Sequence, residues 1–298
     1  MKQRPFFPLV CAAAMLCAAC ASAPPRKAIA QDWYEVGNAW YDLGKWDKAG
    51  AAYAKAIALD PGFLGASFNM ARALCESGDY KGALQAVERV LLNDPKNTRA
   101  LSLKAYIYYR RGDSASALKT YEAVMELEPY APDAVYNTAL LREAKGEDAE
   151  AVKALEQLLS VKTDDAQALS LYARLLAKLD RKEEAAQTYE KLQGLGKASA
   201  ADLMALGRLY EESSSFAKAI EAYAAAAAAD PKLPDAWFEL AKLKLTEAED
   251  GKGGLEALAK ALAAGFSDRE KASALLSSTS LVERESVLKA LKEKGLAE

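Results

Sequence analysis

The stretch "AQDWYEVGNAWYDLGKWDKAGAAYAKAIALDPGF", residues 30–63, decides the fold. Two segments with apolar and small residues at helical spacing flank "LGKW", where a glycine interrupts the pattern, and "DPG" closes the second segment. The same layout then returns. Pro61, Pro95 and Pro129 stand 34 residues apart, and Pro231 lies another 102 residues on, three times the same interval. A constant period over that length marks an internal repeat, six times in register without insertion.

In 34-residue rows that begin at Ala30, Leu64, Thr98, Pro132, Ala166 and Ala200, column 20 is always alanine: Ala49, Ala83, Ala117, Ala151, Ala185 and Ala219. Column 8 is always small, from Gly37 through Ala71, Ala105, Ala139 and Ala173 to Gly207. Column 24 is bulky: Tyr53, Val87, Tyr121, Leu155, Tyr189 and Tyr223. Column 15, between the helical segments, reads Gly44, Gly78, Gly112 and Gly146, then Asp180 and Ser214. Each row is therefore expected to be two amphipathic helices joined by a tight turn. Small residues let the pair approach closely, and column 24 fills the space beside them. The proline of column 32 ends the second helix. One such pair cannot bury its own apolar face, so neighbours must stack.

Trp33, Gly37, Trp40, Gly44, Ala49, Tyr53, Ala56 and Pro61 stand where the tetratricopeptide repeat (TPR) family has its signature residues, and residues 30–233 resemble that family throughout. A degenerate seventh repeat begins at "PDAWFELAKLKL", with Trp237, Leu240 and Ala241 in place and a turn one residue longer. The expected fold is all-α: a right-handed superhelical solenoid of stacked helix-turn-helix repeats over residues 30–265. Residues 266–298 are expected to form C-terminal capping helices. "EDGKGGLE" lacks the spacing of a phosphate loop and reads as a solvated turn.

The resemblance implies an inner, concave face lined by columns 2, 5, 6, 9, 12 and 13 of the first helices. The partner-binding residues expected there are Tyr34, Asn38, Tyr41, Phe68, Asn69, Arg72, Arg99, Tyr106, Tyr109, Arg110 and Tyr136; Asn137, Arg174, Arg208 and Phe238 share those columns. Tyrosine and arginine offer large contact area together with hydrogen bonding, which suits an extended or helical peptide. Packing between helices is the alternative role for each tyrosine. Some family members grip a C-terminal carboxylate with basic residues and two asparagines. Asn38, Asn69 and Arg99 stand in clamp-like columns, whereas Tyr34 and Leu103 replace two of the basic groups.

The N-terminus has its own pattern. Lys2 and Arg4 precede an uncharged, mostly apolar run from Phe6 to Ala19, the layout of an export signal too short to span a bilayer comfortably. Its end, "LCAAC", resembles a bacterial lipobox. That makes residues 1–19 a signal peptide, Cys20 the acylated (palmitate-bearing) first residue of a lipoprotein, and residues 20–29 a lipidated tether. Nine residues of tether reach at most about 30 Å. Signal-peptidase cleavage at "ACA" (Ala19–Ala21) is the alternative, and a thioredoxin-like Cys17/Cys20 pair is a third reading that lacks the folded context such a site requires.

The 298 residues include no histidine and carry a formal charge of −3. Histidine-dependent catalysis and His-ligated metal sites are thereby excluded, and no basic block marks a nucleic-acid binder. No catalytic residues, metal or cofactor are expected, and no enzymatic activity. The sequence reading is a membrane-anchored, protein–protein interaction scaffold of the bacterial cell envelope, facing the periplasm. The alternative is a transporter-associated accessory protein that forms homo-oligomers and binds a small molecule.

Overall fold

The computed structural model describes residues 25–298, and within them the chain is α-helical, without strands. It divides into two compact units. The first, reaching Leu127, holds three helix pairs: α1 (Arg26–Asp42) with α2 (Trp46–Leu59), α3 (Leu64–Ser77) with α4 (Tyr80–Asn93), and α5 (Thr98–Arg110) with α6 (Ser114–Leu127). The second, Glu128–Glu298, holds α7 (Pro132–Ala144), α8 (Asp148–Val161), α9 (Ala166–Lys178), α10 (Lys182–Gly194), α11 (Ala200–Glu212), α12 (Phe216–Ala229), α13 (Pro234–Thr246) and α14 (Gly251–Ala263) as four further pairs, then α15 (Arg269–Ser277) and α16 (Arg284–Glu293). Within each unit the second helix of one pair packs against the first helix of the next. The first helices also touch one another, as in α1 with α3 and α3 with α5.

The small residues of column 8 work through van der Waals contact. A Cβ on Gly207 would stand 2.5 Å from Cε1 of Tyr223, and one on Gly37 would collide with the Tyr53 ring. Both tyrosine rings lie flat against bare backbone and are buried. Column 20 alanines, from Ala49 to Ala219, are likewise fully buried.

Column 15 is set by backbone conformation. Gly44, Gly78, Gly112 and Gly146 have φ of 67°, 89°, 84° and 78°, and Asp180 and Ser214 adopt the same left-handed region at 59° and 56°. Glycine enters that region without penalty, whereas a side chain there costs about 1–2 kcal/mol. In the turns "GDY" and "GDS" the aspartate then caps the following helix: Asp79 accepts from Gly82 N at 2.9 Å and Asp113 from Ser116 N at 3.1 Å.

Two boundaries differ from the sequence reading. Helix α1 begins at Arg26, after Pro25 as its N-cap, so residues 26–29 are helical rather than tether. The segment "SLVERES" turns at Glu283, whose φ is 52°, and α16 starts only at Arg284. The C-terminal pair packs against α13 and α14. Val282 N donates to Leu245 O at 3.0 Å, and Leu275, Val287 and Leu291 join the core around Leu245 and Phe266.

Replacing Asp180 or Ser214 by glycine is expected to raise stability by about 1 kcal/mol each, because the strain of a left-handed side chain is removed. Gly207→Ala should lower stability by about 1–3 kcal/mol through overpacking. Gly194→Ala, where nothing lies within 4 Å of a new Cβ, should instead be neutral or slightly stabilising. Denaturant melts of the four variants check all of this.

Candidate binding surface

Residues three, four and seven apart share a helix face. In the first unit that rule brings Tyr34, Asn38 and Tyr41 of α1, Phe68, Asn69 and Arg72 of α3, and Arg99, Tyr106, Tyr109 and Arg110 of α5 to the first helices of three successive pairs.

Within this set the asparagines tie helices together. Asn69 Nδ2 donates to the Tyr34 hydroxyl at 3.0 Å and to Asn38 Oδ1 at 3.1 Å, while the Tyr53 hydroxyl donates to Asn38 Oδ1 at 2.9 Å. Asn38 Nδ2 turns back to Glu35 Oε2 at 3.3 Å. These amides are engaged inside the protein, and the two basic partners of a carboxylate clamp are lacking. The aromatic residues continue the tie: the Tyr34 ring lies 4.8 Å from Phe63, and Tyr41 meets Trp46 edge-on at 4.8 Å.

The arginines are placed differently. Arg72 lies over the Tyr41 ring at 4.6 Å and Arg99 over Phe68 at 5.4 Å. Neither has a carboxylate partner among the described residues. A cation–π contact uses the ring face and leaves the guanidinium N–H groups open to a ligand. Arg110, by contrast, donates to the Tyr106 hydroxyl at 2.7 Å and pairs with Glu76 at 3.1 Å. Tyr109 is 45% exposed. A cleft of about 350 Å³ opens beside Arg99, with Tyr34, Leu64, Phe68 and Val90 giving it apolar walls and Asn93, Asp94 and Asn97 a polar edge.

In the second unit, Tyr136 is half-buried on α7 and Asn137 donates to Asp133 O at 2.7 Å. Arg174 grips Glu143 with both terminal nitrogens, at 2.5 and 2.9 Å, while Arg208 is exposed. Phe238 belongs to the wall of a cavity in this unit. It is buried and stacked on Phe266, centroids 4.0 Å apart and planes within 5°.

A second cavity of about 430 Å³ lies where Phe238, Glu239 and Lys242, in columns 5, 6 and 9 of the seventh pair, meet Glu211 of α11 and Lys271 of α15. Phe216, Leu243 and Leu275 line it together with a chain of ion pairs: Glu211–Lys242 at 2.6 Å, Lys242–Glu239 at 2.6 Å and Lys271–Glu239 at 3.1 Å. Lys271 comes from α15, beyond the regular array, so no column pointed to it. Cys75 is buried in the first unit, and burial pushes its thiol up to about 11, which removes it from groove chemistry. Among the described residues no group of three potential metal ligands converges, and no helix is long and apolar enough to cross a membrane. Cys20 and the expected signal peptide, residues 1–19, lie outside the described residues.

The family model of the TPR domain of cytochrome c-type biogenesis protein H matches residues 26–135, and two further tetratricopeptide repeat models match residues 108–175 and 200–243. The chain is a tetratricopeptide repeat protein. Its fold is an all-α TPR solenoid, and the family typically serves as a non-catalytic scaffold for protein–protein interaction. PilF of Pseudomonas aeruginosa superimposes with a TM-score of 0.58 at 20% identity, over 69% of this chain and 94% of that one. A TPR protein from Parabacteroides merdae superimposes with a TM-score of 0.56 at 18% identity, over 83% of this chain and 97% of the other. No curated protein matches the TPR chain by sequence.

Burial raises the Tyr53 and Tyr189 hydroxyls from 10.0 to about 12. The unfolded chain releases these protons at lower pH than the folded one. Their contribution is therefore fully present below pH 10 and lost as pH rises through about 12. A melting temperature that falls over that window, and falls less in Tyr53→Phe, is the expected result of a pH-resolved thermal scan.

Proposed function

We propose that this TPR protein is a lipid-anchored scaffold of a bacterial cell envelope, exported to face the periplasm and held to the membrane through an acylated Cys20. It would hold an extended partner segment against the first helices of its first unit. The observation that carries the reading is the pair Arg72 and Arg99, each stacked on an aromatic ring, without a carboxylate partner among the described residues, and, for Arg99, beside an apolar-walled cleft. That arrangement suits a segment with a carboxylate next to an apolar side chain. The match of the first three repeats to a TPR domain named for cytochrome c-type biogenesis fits a role in holding clients during assembly.

A second reading has its own support. The cavity of about 430 Å³ in the second unit, with apolar walls and half-buried ion pairs, has the size of a small-molecule site and favours a transporter-associated accessory protein.

Photo-crosslinking in cells from position 109, with a probe on an outer helix as control, tests the scaffold. A partner captured only from position 109 is expected. Arg72→Ala and Arg99→Ala should each weaken that partner by about tenfold, the range of an interface anchor. Equal capture from both positions would count against the inner face. A small molecule or a defined oligomer retained in native mass spectrometry would move the assignment to the accessory reading.

A further inference from the structure

In a stacked array each first helix is covered by the second helix of the preceding pair. Column 7 shows it: Leu206 on α11 and Leu240 on α13 are buried beneath α10 and α12. The same column on α1 is Val36, 40% exposed, and Leu43, two turns further along the same face, is 66% exposed. Among the described residues, helix α1 packs chiefly on α2 and, more lightly, on α3. Trp33 and Trp40 flank Val36 and Leu43 along one side of the helix surface and are half-buried, with Lys55 Nζ 3.9 Å above the Trp33 ring and Lys48 Nζ 4.6 Å above the Trp40 ring. The face is apolar at its centre, indole-edged and ammonium-rimmed.

What covers this face follows from the chain that leads into it. Six residue steps separate Cys20 from Arg26, the first residue of α1, so an acyl anchor at Cys20 keeps the start of α1 within about 20 Å of the bilayer. Once cleavage leaves Cys20 as the first residue, too little chain remains to form a covering helix. Tryptophan and lysine are the residues that settle at headgroup depth, indole in the interface and ammonium toward phosphate.

We propose that the uncovered face of α1 lies on the membrane surface, with Val36 and Leu43 at the headgroup–acyl boundary and Lys48 and Lys55 toward lipid phosphates. This rests on the acylation of Cys20 read above. A few side chains, with Asp32 close by, bind a bilayer weakly on their own. Tethering converts that weak contact into an intramolecular one. The acyl chains anchor the protein and the stripe orients it.

The experiment uses the acylated full-length product in vesicles of phosphatidylethanolamine and phosphatidylglycerol that contain a doxyl-labelled lipid. A polarity-sensitive fluorophore is attached at Leu43→Cys or, as control, at Gln31→Cys. Gln31 is closer to the anchor but on another face of α1, and buried Cys75 does not compete for label. Position 43 should lose roughly half its emission and position 31 little, with quenching at 43 relieved by Val36→Asp. Stronger quenching at 31, or none at either position in a chain whose mass carries the acyl groups, overturns the docking and leaves the lipoprotein reading intact. A chain without acyl mass overturns both. Shielding of position 43 without vesicles, rising with protein concentration, would assign the face to a second copy instead.

Discussion

The contact between column 8 and column 24 governs the rest of this protein. Where Gly37 faces Tyr53 and Gly207 faces Tyr223, a tyrosine ring lies directly on helix backbone, and the two helices of a pair come as close as that ring allows. Each pair still exposes apolar surface that only the next pair can bury, so stability is built from neighbour contacts along the chain. The left-handed turn at column 15 follows from the same requirement. Helices that close must reverse direction within a few residues, and a positive φ at one position does this.

An array of this kind presents its first helices to a partner through regularly spaced side chains, and the local partners of those side chains decide what each can do. Asn38 and Asn69 stand in recognition columns but spend their hydrogen bonds on Tyr34, Tyr53 and one another. Arg110 and Arg174 are paired with Glu76 and Glu143. Arg72 and Arg99, supported only by aromatic faces, keep their donors for a ligand. What these helices of the first unit leave open is thus two guanidiniums, one cleft and an exposed Tyr109.

The ends of the array obey the same physics with opposite outcomes. At the C-terminus α15 and α16 bury Leu275, Val287 and Leu291 against the seventh repeat, and a backbone hydrogen bond from Val282 to Leu245 fixes the cap. At the start of the first unit, no helix among the described residues covers Val36 and Leu43 of α1. An uncovered apolar face needs a neighbour, and the acyl-chain reading of Cys20 places a lipid surface within its reach.

The sequence by itself determined the period, the helix pairs, the small and bulky columns at their interface and the turns at Asp180 and Ser214 that repeat the glycine conformation. All of these are set by local backbone geometry or by contacts at one fixed spacing, which a 34-residue register exposes directly. It also placed the inner-face residues on their columns, since helical periodicity fixes direction. Only the tertiary structure decided which of them are available. Asn69 is engaged by a residue 35 positions away, Lys271 by one 36 positions away, and Phe238, in a groove column, is held in a stack with Phe266. Those outcomes depend on side chains of neighbouring repeats that differ in identity, and on a C-terminal pair outside the register, so no column could announce them.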